Sequence, residues 1–109
     1  MTFKSALRED DLWVGEMTCV AIDGRSVLVV NVEGTVCAYE NRCRHRALPL
    51  SLGKLTGNRL VCAAHGWEYD ACTGEGTNPL GVSLRRYVVQ IVAGEIQVDI
   101  GTNHEAGDV

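Results

Sequence analysis

The sequence predicts an all-β fold, a barrel or sandwich base with a small loop-rich subdomain, and three observations predict it. Apolar and β-branched residues come in short runs, the richest being Ser26-Val27-Leu28-Val29-Val30-Asn31-Val32, as strands require. Turn signals separate these runs at short spacing: Asp23-Gly24, Glu33-Gly34, Thr56-Gly57-Asn58 and Ala93-Gly94. Near the end, Tyr87, Val89 and Ile91 alternate with Val88, Gln90 and Val92. After a turn, Ile96, Val98 and Ile100 alternate with Gln97 and Asp99, which is the two-residue period of a hairpin. Many short strands with regular turns suit a barrel or sandwich.

In chain order, residues 2–13 are expected to hold a short opening strand and one helical turn at Arg8-Glu9-Asp10-Asp11. A strand over 16–22 leads to the Asp23-Gly24 turn. The 26–32 run reads as a buried strand, and Glu33-Gly34 turns the chain into a strand over 35–39. Residues 40–53 read as irregular. Arg59-Leu60-Val61-Cys62 is a strand, 66–70 returns as another, and 73–76 is a turn. Asn78-Pro79 falls in a loop, where a missing N–H costs nothing. After Gly101 the residues are small and polar, so 102–109, with His104, is expected to be a flexible tail. One domain over 1–101 follows, with its loop-rich subdomain at about 40–80.

Composition narrows the function. A chain of 109 residues with formal net charge −4 is a poor nucleic-acid binder. An acidic surface suits a carrier that docks briefly on basic patches, or solubility alone. The five cysteines are 19, 37, 43, 62 and 72. An odd count behind a start that lacks a signal peptide argues against a secreted disulfide framework. No apolar run approaches the ~20 residues of a spanning helix, so no membrane partner is expected and the cytoplasm is the expected location.

The chemistry concentrates in Cys43-Arg44-His45 and, after sixteen intervening residues, Cys62-Ala63-Ala64-His65. Each short loop offers one thiolate and one imidazole. Two such pairs point to a metal, and an S₂N₂ donor set suits zinc or iron in an iron–sulfur cluster. Zinc modules more often pair Cys-x₂₋₄-Cys with His-x₃₋₅-His. The alternation found here suits a centre in which two cysteines hold one iron and two histidines the other. Thiolates must be deprotonated and imidazoles neutral to bind, so assembly favours neutral or higher pH. Cys19 and Cys37 lie in apolar strand contexts and read as small core residues. Cys72 lies near the second pair without ligand spacing. Glu9-Asp10-Asp11 reads as a solvated turn.

Through Cys43-Arg44-His45 and Cys62-Ala63-Ala64-His65-Gly66-Trp67-Glu68-Tyr69-Asp70, the chain resembles the Rieske ferredoxins over roughly residues 3 to 100. Through Asp11-Leu12-Trp13-Val14-Gly15-Glu16-Met17 and Trp67 it is most similar to the ferredoxin component of toluene-type monooxygenases. The resemblance implies a Rieske-type β-barrel base with a cluster-binding tip and one [2Fe-2S] Rieske cluster. Its ligands would be Cys43, His45, Cys62 and His65, with the histidines at the outer end. It implies an electron carrier that is not itself an enzyme. The partners would be a flavin-containing NAD(P)H reductase and a terminal oxygenase, a di-iron hydroxylase of an aromatic or alkene hydrocarbon. A monomer is expected. The rivals are the ferredoxin of a ring-hydroxylating dioxygenase and the small subunit of a nitrite reductase. From a different class comes a zinc-binding structural module.

The resemblance also places the potential. High-potential relatives clamp the two loops with a disulfide at positions that match Leu48 and Ala64. They put a hydroxyl donor where Trp67 stands. Lacking both, this chain is expected in the lower part of the Rieske band, roughly −150 to 0 mV. Tyr69 matches the aromatic whose hydroxyl bonds a ligand sulfur in relatives; a plain core aromatic is the other reading. Gly53, Gly57 and Gly66 allow close backbone approach or sharp turns. Arg44, Arg46, Ala47, Leu48, Pro49, Trp67 and Pro79 are expected to surround the histidines as docking surface. The competing readings are burial for Trp67 and an ordinary solvated loop for the two arginines.

Overall fold

The 26–32 run reads as buried because both of its faces are covered. The computed structural model describes residues 2–44, 48–63 and 66–101, and in it β3 (Arg25–Val32) lies between two layers. Val27 and Val29 point into one apolar core with Leu12, Ile22, Ala38, Tyr87, Ile96 and Val98. Leu28, Val30 and Val32 point into a second core with Cys37, Tyr39, Leu50, Leu60 and Tyr69. A strand with two buried faces has no polar alternation to show, as the sequence reflects.

The first core is the inside of a six-stranded antiparallel sheet in the order β1-β10-β9-β4-β3-β2. Its strands are β1 (Lys4–Arg8), β2 (Met17–Ile22), β3, β4 (Thr35–Glu40), β9 (Arg86–Val92) and β10 (Glu95–Asp99). The edge strands β1 and β2 approach each other, so the sheet nearly closes into a barrel. The expected opening strand, the single helical turn (a 3₁₀ turn at Glu9–Asp11) and the final hairpin are all present.

The second layer is a four-stranded antiparallel meander, β5 (Lys54–Thr56), β6 (Arg59–Val61), β7 (Glu68–Asp70) and β8 (Gly76–Asn78). It lies on the outer face of β3 and β4. Tyr39, buried in β4, donates its hydroxyl to the Ala71 carbonyl at 2.7 Å, and Cys37 Sγ lies 3.5 Å from the Cys72 carbonyl. Burial and the neighbouring Cys37 push the Tyr39 phenol's pKa up, so it stays a donor.

Sequence periodicity misses parts of this layer. β5, β8 and a 3₁₀ turn at Leu50–Leu52 fall in segments read as irregular or turn. A three-residue strand is too short to display a period. Gly76, read as part of a turn, is buried in β8, and a Cβ there would press on the Pro79 carbonyl and Val82. Cys19 also differs from expectation. It is exposed, because β2 is an edge strand, while Cys37 is buried as expected.

Candidate metal centre

One end of the small sheet gathers the site. Gly53 precedes β5, Cys62 follows β6, Trp67 precedes β7 and Pro79 follows β8. The pairs Lys54 with Val61 and Glu68 with Asn78 hold these four crossings side by side. The first loop arrives from β4. Asn41, buried at its root, donates through its side-chain amide to Ser26 Oγ (3.0 Å) and Ser51 Oγ (3.1 Å) and accepts from the Ser51 N–H (2.9 Å). This ties the loop to both the barrel and the Leu50–Leu52 turn.

The two cysteine loops close in the same way. Cys43 N–H donates to the Leu48 carbonyl at 2.7 Å, and Cys62 N–H donates to the Trp67 carbonyl at 2.7 Å. Each bond spans five residues and pinches a loop with its cysteine at the neck. Both side chains are buried, with Cys43 1 % and Cys62 3 % exposed, and no disulfide joins any of the five cysteines. Gly66 turns the second loop at φ +68°, a left-handed conformation that glycine adopts freely. Gly53 serves differently. A Cβ on it would overlap the Val61 carbonyl and crowd the Ala63 N–H, so the backbone before β5 presses directly on the root of the second loop.

Tyr69 joins the two loops. Its ring is fully buried in the second core. The Arg44 N–H donates to its hydroxyl at 3.1 Å, and the hydroxyl lies 3.4 Å from Cys43 Sγ. Either group can donate in this contact while Cys43 is a thiol, whereas a metal-ligating thiolate has no proton and leaves the hydroxyl as the donor. Burial pushes the Tyr69 phenol's pKa up, and donation to Cys43 and charge on Cys43 or Cys62 push it further. Both thiols therefore sit within electrostatic reach of one hydroxyl. The two readings of Tyr69 are one: it is a core aromatic whose tip bonds a ligand-type sulfur.

Among the described residues, no group of three or more His, Cys, Asp and Glu side chains could hold a metal ion. His45 and His65 lie outside the described residues, as do Arg46, Ala47 and Ala64. The described half of the site fits an iron–sulfur cluster: two buried thiols in twin loops, with a hydroxyl donor aimed at one sulfur.

The sequence pattern of the Rieske [2Fe-2S] domain matches residues 2–87. The chain belongs to the Rieske [2Fe-2S] domain family. This Rieske chain accordingly carries one [2Fe-2S] cluster of that type. It is 36% identical over 90 residues to the ferredoxin component of the alkene monooxygenase system of Xanthobacter autotrophicus, covering 82% of this chain and 74% of that one. It is 30% identical to the ferredoxin of carbazole 1,9a-dioxygenase from Nocardioides aromaticivorans IC177, with a TM-score of 0.81 over 90% of this chain and 97% of that chain. A solved complex of reduced oxygenase and oxidized ferredoxin in carbazole 1,9a-dioxygenase gives 28% identity and a TM-score of 0.81, over 88% of this chain and 91% of that chain.

The surroundings of the Rieske chain's loops divide by exposure. Arg44 and Gly66 are exposed, while Leu48, Pro49, Trp67 and Pro79 are half-buried. Trp67 packs against the second core, which favours its structural reading. Two residues absent from the sequence-based expectation stand out: Leu52 is 67% and Leu80 80% exposed. They flank the second loop, one before β5 and one after β8, and a hollow of ≈ 250 Å³ runs from Leu52 past Val61 to Cys62. A leucine in an irregular segment next to Gly53 or Pro79 carries no periodic signal, so only its lack of a burying partner in the fold reveals it.

Proposed function

We propose that the protein is a one-electron carrier, the ferredoxin component of a multicomponent oxygenase system. It takes an electron from a flavin-containing NAD(P)H reductase, delivers it to a terminal oxygenase and performs no substrate chemistry itself. The observation that carries this reading is the pair of pinched loops presenting buried Cys43 and Cys62, in a fold shared with named ferredoxin components.

The ligand assignment is Cys43 and Cys62 to one iron, His45 and His65 to the other. When bound, the cluster supplies a centre that gains and loses one electron. The chain's residues shape that centre. Tyr69 donates to a ligand sulfur and favours the electron-rich state. Trp67 contributes no hydroxyl, and no disulfide clamps the loops, which supports the low end of the Rieske potential band. Residues 40–80 act as the cluster-binding subdomain of a single 1–101 unit, with 102–109, outside the described residues, as its tail.

Identity to the alkene monooxygenase ferredoxin supports a di-iron hydroxylase acting on an alkene or aromatic hydrocarbon as acceptor. Likeness to the carbazole dioxygenase ferredoxin supports the second reading, a ring-hydroxylating dioxygenase. In either case Leu52, Leu80, Trp67, Pro79 and Arg44 border the docking surface, with Arg46, outside the described residues, as a further candidate from the sequence. The carrier role proposed here places the protein in the cytoplasm, as a monomer that meets its two partners in turn. Among the described residues no helix is long and apolar enough to cross a membrane. Reconstitution tests the proposal. With reductase, NAD(P)H and oxygenase, product should form only when the protein is added, and its colour should bleach when oxygenase is withheld. Equal turnover without it would overturn the reading.

A further inference from the structure

Trp13 is 71% exposed and its neighbour Val14 64%, an unusual place for a large indole. The exposure is built in. The Glu16 N–H donates to the Trp13 carbonyl (2.9 Å), closing a four-residue turn with Gly15 at φ +86°. The Trp13 N–H donates to Glu16 Oε1 (2.8 Å), and the indole Nε1–H donates to the Asp10 carbonyl (2.9 Å). The turn is anchored from beneath. Leu12 is buried, Asn31 donates from a buried position to the Leu12 carbonyl (2.9 Å), and the Gly15 N–H donates to the Asn31 carbonyl (2.8 Å). A fixed aromatic ring loses little entropy when a partner covers it, and tryptophan is enriched among the residues that dominate interfaces.

The surroundings are acidic. Glu9, Asp10, Asp11 and Glu16 are exposed along the same segment, and Glu33 is exposed on the β3–β4 turn, whose Gly34 N–H bonds Asn31 Oδ1. Arg8, at the border, is the basic residue of this stretch. The turn and the first cysteine loop are rooted at different points of β3. That loop is rooted at Ser26, at the start of β3, whereas the turn is rooted at Asn31 near its end. Five residues of strand separate the two roots by about 17 Å.

We infer that the Trp13-Val14 turn is a second docking surface, which seats in an apolar slot rimmed by lysine and arginine on the terminal oxygenase. This inference rests on the electron-carrier reading above. It gives the protein a handle that does not cover the cysteine loops, so the charge-complementary contact can form and persist independently of the contact through which the electron passes.

The test uses the cluster-loaded protein and the purified oxygenase of its own system, with affinity measured at low and moderate salt. Trp13→Ala should weaken binding about ten-fold or more, and Trp13→Phe should recover part of it. Asp10→Asn with Asp11→Asn should weaken binding mainly at low salt. The visible spectrum and potential of all variants should match the native protein. Should Trp13→Ala misfold, Val14→Ser on the same turn replaces it. Unchanged affinity in both the Trp13 and Val14 variants would overturn the inference, as would a loss confined to the reductase. If the native protein itself neither binds nor reduces the oxygenase, the carrier reading falls instead.

Discussion

The two faces of β3 carry two different kinds of architecture. The inner face is sealed by a barrel whose strands run five to eight residues, with tight hairpins joining β2 to β3, β3 to β4 and β9 to β10. The outer face is covered by four strands of three residues each. Three-residue strands bury too little to hold themselves together. That layer rests on the platform of Leu28, Val30, Val32, Cys37 and Tyr39 beneath it, and on the proposed ligand assignment a metal would also tie its loops. The barrel keeps its shape from its own contacts, while the small sheet rests on the barrel.

The sharpest way to break this comparison is to remove the metal. Cys43→Ser or His65→Ala should abolish the cluster, leaving no visible absorption. Hydrogen exchange should then show β5–β8 amides losing protection while β9 and β10 amides keep it. Equal loss in both layers would merge them into one cooperative unit. A milder probe is Gly53→Ala. Gly53 has no positive φ, so the overlap of the new methyl with the Val61 carbonyl is its dominant effect. Iron per protein should fall several-fold on metal analysis, with barrel protection intact.

The converse probe strikes the barrel. Ile96 is fully buried in the first core, and Ile96→Ala should cost about 2–5 kcal/mol. It should lower the denaturation midpoint of the whole molecule, while the spectrum of the folded protein stays native. The smallest effect is electronic. Tyr69→Phe removes the hydroxyl beside Cys43 Sγ and should lower the reduction potential by roughly 20–60 mV, the worth of a hydrogen bond of about 0.5–1.5 kcal/mol. Protein-film voltammetry reads this directly. An unchanged potential would return Tyr69 to a packing role.

The same division explains what was legible beforehand. The barrel's turns are written in dipeptides. Asp23 and Gly24 both take positive φ, as do Glu33 and Gly34, and Ala93 and Gly94, the conformations a two-residue hairpin demands. The Tyr87 to Ile100 alternation maps onto β9 and β10 because one face of that hairpin is core. The small sheet was only half legible. β6 and β7 show through Leu60 and Tyr69, which pair in register, but β5 and β8 are too short to show a period. The two Cys/His pairs, whose role as ligands is the proposal made above, were visible in the sequence spacing. The matched closure of the loops was not, because backbone bonds from Cys43 to Leu48 and Cys62 to Trp67 place no demand on side-chain identity. Leu52, Leu80 and the Trp13 turn were legible as residues and not as surfaces, since exposure depends on what the fold leaves uncovered.

The most direct test of the central claim is low-temperature EPR of the purified protein after dithionite reduction, repeated after anaerobic mixing with oxidised oxygenase. The account predicts a rhombic signal with an average g below the free-electron value, lost as the oxygenase takes the electron. A silent spectrum from a colourless protein that contains zinc would contradict it.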